Sequence, residues 1–213
     1  MEIKDTYDFL LRATIPEIIE NNKLPEDLRW KRGQKNQKVI EEGYSSKKLV
    51  WECISRAHHD VLSGRKNVED YSSRKSKGLN KIALDLYDII IGLHNSTKIS
   101  SNLLIDHLMA KKEDGYRIGP IQKLVNMTLK YMFLFQLFGK LEEYQINEND
   151  CDCPLDSRIM EKLEMGEVKW TKDFENTDNI DGYQKYKDVQ RKIKEIQGVK
   201  SKLSYDFENW QQF

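Results

Sequence analysis

One lysine and one aspartate in the middle of this chain have the residue types and the setting for covalent chemistry on a sugar. Lys123 follows Pro120 closely, near the predicted start of an apolar helix, with Lys130 two turns further on almost the same face. Burial, a helix N-terminus and a neighbouring ammonium all favour the uncharged amine, which is a nucleophile able to form a Schiff base. Asp156 comes shortly after Pro154. Its carboxylate can stabilise positive charge or move a proton beside that amine.

Each of these two residues also has a simpler explanation. A lysine on a helix usually carries its ammonium to solvent along an apolar stem, which is the ordinary alternative for Lys123. Asp156 stands where an aspartate often caps the N-terminus of the next helix, and Arg158 is close enough in sequence to pair with it. The sequence leaves these alternatives open.

The motifs around the pair resemble those of a known superfamily. Gln-Lys stands at 122–123, Pro-Leu-Asp-Ser-Arg-Ile stands at 154–159, and Gly-Tyr-Arg-Ile-Gly at 115–119 is similar to the second half of a helix-hairpin-helix, a motif that offers backbone N–H groups to a DNA phosphate. Together they resemble the helix-hairpin-helix DNA glycosylases with AP lyase activity, and within them the archaeal 8-oxoguanine DNA glycosylases. The resemblance covers roughly one fifth of the chain well and the helical layout loosely.

The resemblance implies a mechanism and a partner. Lys123 is expected to attack C1′ of a damaged nucleotide, and Asp156 is expected to stabilise the developing charge and assist proton transfer. The partner is expected to be double-stranded DNA whose damaged or modified base is flipped into a pocket between two helical lobes. No cofactor is expected, and three cysteines cannot supply the four ligands of an iron–sulfur cluster. The residues expected to contact DNA are Arg117, Gly119, Gln122, Lys130 and Arg158.

Charge gives this expectation mixed support. Lys plus Arg and Asp plus Glu balance at 35 each, which is unusual for a protein that binds duplex DNA. Two segments that mix basic and aromatic residues, 30–38 and 65–77, could follow a phosphate backbone, and solvated faces explain them equally well. The balanced charge favours a second hypothesis, in which a non-catalytic helical module binds DNA or protein and the lysine and aspartate form a structural ion pair.

Other kinds of site are excluded or unsupported by the sequence. Cys151 and Cys153 stand one residue apart, too close for the usual zinc spacing, and the four histidines are too scattered to complete a ligand set, so no metal site is expected. The sequence has no Walker-type phosphate loop, no Gly-x-Ser-x-Gly and no His-Glu-x-x-His.

The elements that must position the pair are helices. Apolar residues recur with helical spacing, and no segment alternates with period two between hairpin turns, so the sequence predicts an all-α fold of about eight to ten helices with a helix-hairpin-helix-like element. We expect one domain over 1–213, either as one body or as two lobes around a cleft. Its catalytic helices would lie at about 79–165, between N-terminal helices at 5–64 and C-terminal helices at 181–213.

Within that layout the predicted helices lie at about 6–21, 26–42, 46–64, 79–94, 101–108, 120–138, 154–163 and 183–197. The helix at 183–197 is expected to be charged and exposed, and the aromatic C-terminus to dock back on the body.

The sequence also predicts a compartment. The N-terminus is charged and lacks the apolar core of a secretory signal, and the odd cysteine count fits a reducing environment, so we expect a cytoplasmic protein. The longest apolar stretch, 118–138, carries two lysines and a glutamine and is a poor candidate for a membrane span.

Overall fold

The described part of the protein is helical, which confirms the all-α prediction. The computed structural model describes residues 46–63, 74–93, 98–111, 116–137, 139–165, 179–196 and 198–210. Across these segments the chain forms seven α-helices, one 3-10 helix at Glu148–Asp150 and no β-strand. The α-helices are α1 (Ser46–Ser63), α2 (Arg74–Leu93), α3 (Ser101–Ala110), α4 (Ile118–Leu137), α5 (Ser157–Lys162), α6 (Asn179–Glu195) and α7 (Lys202–Trp210). None of the helices found in these segments is both long and apolar enough to cross a bilayer.

The chain divides into two compact units, Met1–Leu49 and Val50–Phe213. Only Ser46–Leu49, the first residues of α1, are described in the first unit. The helices predicted at 6–21 and 26–42, and the basic segment at 30–38, therefore lie outside the described residues. The expectation of a single domain stays a prediction.

Helix α4 occupies the centre of the second unit. It packs against α2, α3 and α6, and most of its side chains are buried. Apolar residues surround its axis on nearly every side, which is the pattern of a core helix. Pro120 is the third residue of α4, where its missing N–H leaves no helical hydrogen bond unmade. The helix begins two residues before the predicted start, so Lys123 lies in its second turn.

Three sequence predictions are corrected by the helix boundaries and faces. The segment 65–78 lay between two predicted helices, but α2 begins within it at Arg74, because arginine and lysine are good helix formers. The helix expected from Pro154 begins only at Ser157, and Pro154 lies in an extended segment. Helix α6, expected to be exposed, buries one face through Tyr186, Val189, Gln190 and Ile193.

The expected docking of the aromatic C-terminus is confirmed for the residues whose side chains are described. Helix α7 packs against α6 and the 3-10 helix, and it buries Tyr205 and Phe207. Burial of these two large aromatic side chains stabilises the packing of this short helix against its neighbours. Because α7 also carries Asp206, this docking places a carboxylate deep in the second unit.

Candidate active site

A short extended segment, residues 152–155, leads from the 3-10 helix to Asp156 and is held by side chains from three helices. On α4, the side chain of Gln122 accepts a hydrogen bond from Leu155 N at 3.1 Å and donates one to Leu155 O at 3.1 Å. Gln122 is fully buried. A single amide thus satisfies both backbone polar groups of the residue just before Asp156, as a neighbouring strand would in a sheet.

A second glutamine repeats this arrangement two residues earlier. Gln190, on α6, accepts from Cys153 N at 3.0 Å and donates to Cys153 O at 2.7 Å. Ser101, at the start of α3, accepts from Asp152 N at 2.8 Å. Since Pro154 has no N–H, every backbone N–H of residues 152–155 has a partner. The segment before Asp156 is therefore fixed by hydrogen bonds rather than left to loop flexibility.

The two glutamines belong to a larger buried polar network. Asn126 Nδ2 lies 3.0 Å from the Tyr186 hydroxyl and 3.4 Å from Gln122 Oε1. Tyr186 donates its hydroxyl proton to Asp152 Oδ2 at 2.5 Å, and Lys202 pairs with the other oxygen of Asp152. Burial, and then the Asp152 charge, raise the pKa of Tyr186, so this hydroxyl stays protonated and acts as a donor.

Asp156 caps the N-terminus of α5, which confirms the simpler of its two interpretations. Its backbone is extended, and its Oδ1 accepts from Arg158 N and Ile159 N at 3.0 Å each. This cap satisfies two amides that have no partner inside the helix. The cap uses one carboxylate oxygen and keeps the negative charge, so it also orients the other oxygen, Oδ2.

Lys123 is partly buried, and Asp156 lies near enough for its charge to influence the pKa of this lysine. Burial is the largest influence on Lys123 and lowers its pKa from 10.5. Coulombic attraction to Asp156 and Asp60 opposes that shift, and Arg158 adds to it. Since desolvation is the dominant influence, Lys123 is not the freely solvated surface lysine of the simpler interpretation.

Asp60, whose charge raises the pKa of Lys123, and its partner Tyr131 were not singled out by the sequence. Asp60, on α1, accepts a hydrogen bond from the Tyr131 hydroxyl at 2.5 Å and pairs with Arg56 at 3.1 Å. Burial, followed by the Asp60 charge, raises the pKa of Tyr131. Asp60 and Tyr131 belong to helices far apart in sequence, and neither lies in a motif, so no local signal marked them.

Lys130 occupies a different environment from the one expected. Only 1% of its surface is exposed, it forms an ion pair with Asp206, and its Nζ lies 4.9 Å from the centre of the Phe207 ring. Burial raises the pKa of Asp206. The Asp206 charge also reaches Lys123, where it opposes the fall in the pKa of that lysine. Lys130 therefore lies inside the protein and not on an exposed face. Its expected contact with DNA stays a prediction.

The other residues expected to contact DNA divide between the surface and the interior. Arg117 and Arg158 are exposed. Gly119 is buried in the first turn of α4, so it is helical and does not lie in the turn that the resemblance implied for 115–119. Gly115, at the other end of that stretch, lies outside the described residues. Gln122 is committed at both ends of its amide, which gives it an internal structural role instead of the expected DNA contact.

The cysteine thiols lie in the interior of the protein. All three cysteines of the chain are free and buried, and burial raises the pKa of each thiol. Protonated, enclosed thiols are poor nucleophiles and poor metal ligands. In the described segments, no three His, Cys, Asp or Glu side chains lie close enough together to hold a metal ion.

No protein-family model, no curated protein and no solved structure matches this chain.

Proposed function

We propose that this chain is a DNA glycosylase with AP lyase activity, in which Lys123 is the nucleophile and Asp156 its carboxylate partner. The observation that carries the proposal is a partly buried lysine on the central helix whose pKa is influenced by Asp156, a carboxylate that a hydrogen-bonded segment and a helix cap hold in place. Each residue sits on a well-ordered element: Lys123 on the central helix, and Asp156 at the end of a segment held by Gln122 and Gln190. Catalytic groups held on rigid elements are what covalent catalysis requires.

Burial and the nearby carboxylates act on Lys123 in opposite directions, and each influence suits a different stage of one reaction. Burial lowers the pKa of Lys123 and favours the neutral amine that attacks a sugar carbon. Asp156 and Asp60 attract positive charge at the same place. They therefore stabilise the cationic sugar and the iminium that follow the attack, because fixed charges act most strongly where charge develops.

On a damaged nucleotide the proposed reaction begins at C1′. Lys123 Nζ forms a bond to C1′, and the base departs with the electron pair of the glycosidic bond and takes up a proton. Nζ gives up a proton to the Asp156 carboxylate, and the C1′–O4′ bond then breaks to leave an iminium while O4′ takes up that proton. Loss of a C2′ proton then expels the 3′ phosphate by β-elimination. On an abasic site the amine adds to the C1′ aldehyde and water leaves.

The proposed partner is double-stranded DNA that contains a damaged or modified base. The exposed guanidinium groups of Arg117 and Arg158 flank the site in sequence on either side, at the start of α4 and at the start of α5. Arginines at such positions bind phosphate oxygens with two parallel hydrogen bonds. We place the activity in the cytoplasm, where three free thiols remain reduced.

Borohydride trapping with a duplex that carries an abasic site tests the proposal. Borohydride reduces the iminium to a stable secondary amine, so wild-type protein should become covalently joined to the DNA. Lys123→Gln should abolish the adduct. Asp156→Asn should slow its formation strongly while keeping α5 capped, because asparagine caps helices as well as aspartate does. Lys187→Gln, which removes an exposed lysine on α6, is the matched control and should trap like the wild type. Absence of an adduct from the wild type would reject the enzyme.

A second candidate function, a non-catalytic helical module that binds DNA or protein, is favoured by the structural use of Asp156. Both amides that Asp156 Oδ1 accepts from belong to α5, so the residue is fully explained by capping. On this hypothesis Lys123 and Asp156 are a structural ion pair. Lys123→Met would then change the stability of the protein. Neither the wild type nor this variant would form a covalent adduct, so the trapping experiment distinguishes the two functions.

A further inference from the structure

The geometry points to Gln190 as a positioning residue for Asp156, so that α6 takes part in the proposed reaction without touching the DNA. The inference rests on the proposed function and extends it to an element with no motif. Gln190 makes both of its amide hydrogen bonds to Cys153, at 3.0 Å from the backbone N and 2.7 Å to the backbone O. Only 3% of its surface is exposed.

The position of the carboxylate depends on the path of the backbone before it. Gln122 fixes Leu155 and Gln190 fixes Cys153, with only Pro154 between them. The proline ring restricts its own φ, so the segment retains few ways to move once both flanking residues are held. Asp156 then begins α5 from a fixed starting point, and its capping bonds set the direction of the carboxylate. Loss of Gln190 leaves Cys153 N without its partner and weakens one of the points that hold this path.

The chemistry of the contact calls for a glutamine in particular. The side-chain amide presents one acceptor and one donor with the spacing of a peptide group, so it can pair with the N–H and C=O of one residue at once. Glutamate has the acceptor but lacks the N–H donor, and methionine matches the length without either. Substitutions at this one position can therefore separate hydrogen bonding from packing.

Helix α6 is itself tied to the lysine helix, which makes the positioning role specific. The Tyr186 hydroxyl, one turn before Gln190, lies 3.0 Å from Asn126 Nδ2 on α4. The same asparagine nitrogen lies 3.4 Å from Cys153 O. Hydrogen bonds from neighbouring residues of α6 thus link this helix both to α4, which carries Lys123, and to the segment that precedes Asp156. A displacement of the order of 1 Å between catalytic groups can cost a large factor in rate.

The test compares Gln190→Met with wild type on a duplex containing an abasic site, under single-turnover conditions with borohydride. We expect the rate of adduct formation at saturating DNA to fall about tenfold, with the Kd for the duplex within about twofold of wild type. A merely structural role predicts no such separation of rate from affinity in the folded protein. Gln184→Met, an exposed glutamine on the same helix, is the matched control and should react like wild type.

Gln190→Glu is the second variant, because it keeps the acceptor for Cys153 N and should react at an intermediate rate. A fall of less than about threefold in a folded Gln190→Met protein overturns the inference and leaves the proposed function standing. Loss of cooperative unfolding in both variants assigns Gln190 to stability alone and also overturns it. No adduct from wild type rejects the proposed function itself, a result that is visible before any variant is compared.

Discussion

Replacement of Gln122 by methionine tests the hydrogen-bonded support of the site most cleanly. Methionine keeps the length and most of the volume of glutamine, so α4 should remain well packed. What is lost is the pair of 3.1 Å bonds to Leu155 N and Leu155 O, together with the longer 3.4 Å bond from Asn126 Nδ2, in a place where the glutamine was fully buried. Because Asn126 Nδ2 keeps two other acceptors, the substitution chiefly measures the cost of leaving the two backbone groups without partners.

The magnitude follows from those two groups. A buried backbone group without a partner costs about 1–3 kcal/mol, so the two at Leu155 predict a loss of about 2–6 kcal/mol in the free energy of unfolding. For a chain of this size each kcal/mol shifts Tm by about 2–4 °C, and a central loss of about 4 kcal/mol predicts a fall of about 8–16 °C. Thermal unfolding followed by circular dichroism, with urea unfolding at 25 °C alongside, measures both quantities.

Gln136→Met supplies the control on the same helix. Among the residues that the structure describes, the buried Oε1 atom of Gln136 has no hydrogen-bond partner, so its removal deletes an unsatisfied group instead of creating two. We expect Gln136→Met to leave Tm unchanged or to raise it slightly. Equal Tm values for Gln122→Met and wild type, or equal losses in the two variants, would refute the reasoning that side-chain amides hold residues 152–155 in place.

Three further predictions concern buried charge, pH and thiols. Asp206→Asn removes the carboxylate that pairs with the buried Lys130, so urea unfolding should show a loss of about 3–5 kcal/mol; a loss below about 1 kcal/mol would contradict this pairing. Burial lowers the pKa of His58 below 6.5, so the unfolded chain binds this proton more tightly and stability should fall as the pH drops below 6.5. His58→Gln should flatten that part of a Tm-against-pH curve, whereas replacement of the exposed His107 should not. The three buried cysteines should resist a thiol reagent in the native protein and react fully in urea, and fast native reaction would contradict their burial.

Much of the fold follows from local sequence signals. The apolar periodicity of α4 predicted a central helix, and either Ser100 or Ser101 suited the N-cap of α3; Ser100 takes that position and accepts from Leu103 N at 3.2 Å. The signal at 154–163 was misleading because proline favours a helix start, while the capping aspartate two residues later decides the boundary. Helix α6 was expected to be exposed because its charged residues outnumber the buried ones on its other face.

The two proposed catalytic residues could be predicted from the sequence, whereas the residues that surround them and hold them in place could not. Lys123 and Asp156 stand in motifs, whereas Gln190 and Asp60 reach the site only through tertiary packing. No local sequence feature indicates that a glutamine on a charged helix will form hydrogen bonds to a distant backbone through both ends of its amide. Lys130 shows the reverse case, since its partner Asp206 lies far along the chain and turns an expected surface cation into a buried ion pair.

The most direct measurement is the location of the covalent bond itself. After borohydride treatment with an abasic duplex, nuclease digestion and proteolysis, mass spectrometry identifies the residue that carries the reduced sugar remnant. The proposed mechanism predicts that the remnant lies on Lys123, because burial favours the neutral amine there and Asp156 stabilises the cation that forms. A remnant on the N-terminal amine or on an exposed lysine, with Lys123 unmodified, would contradict it.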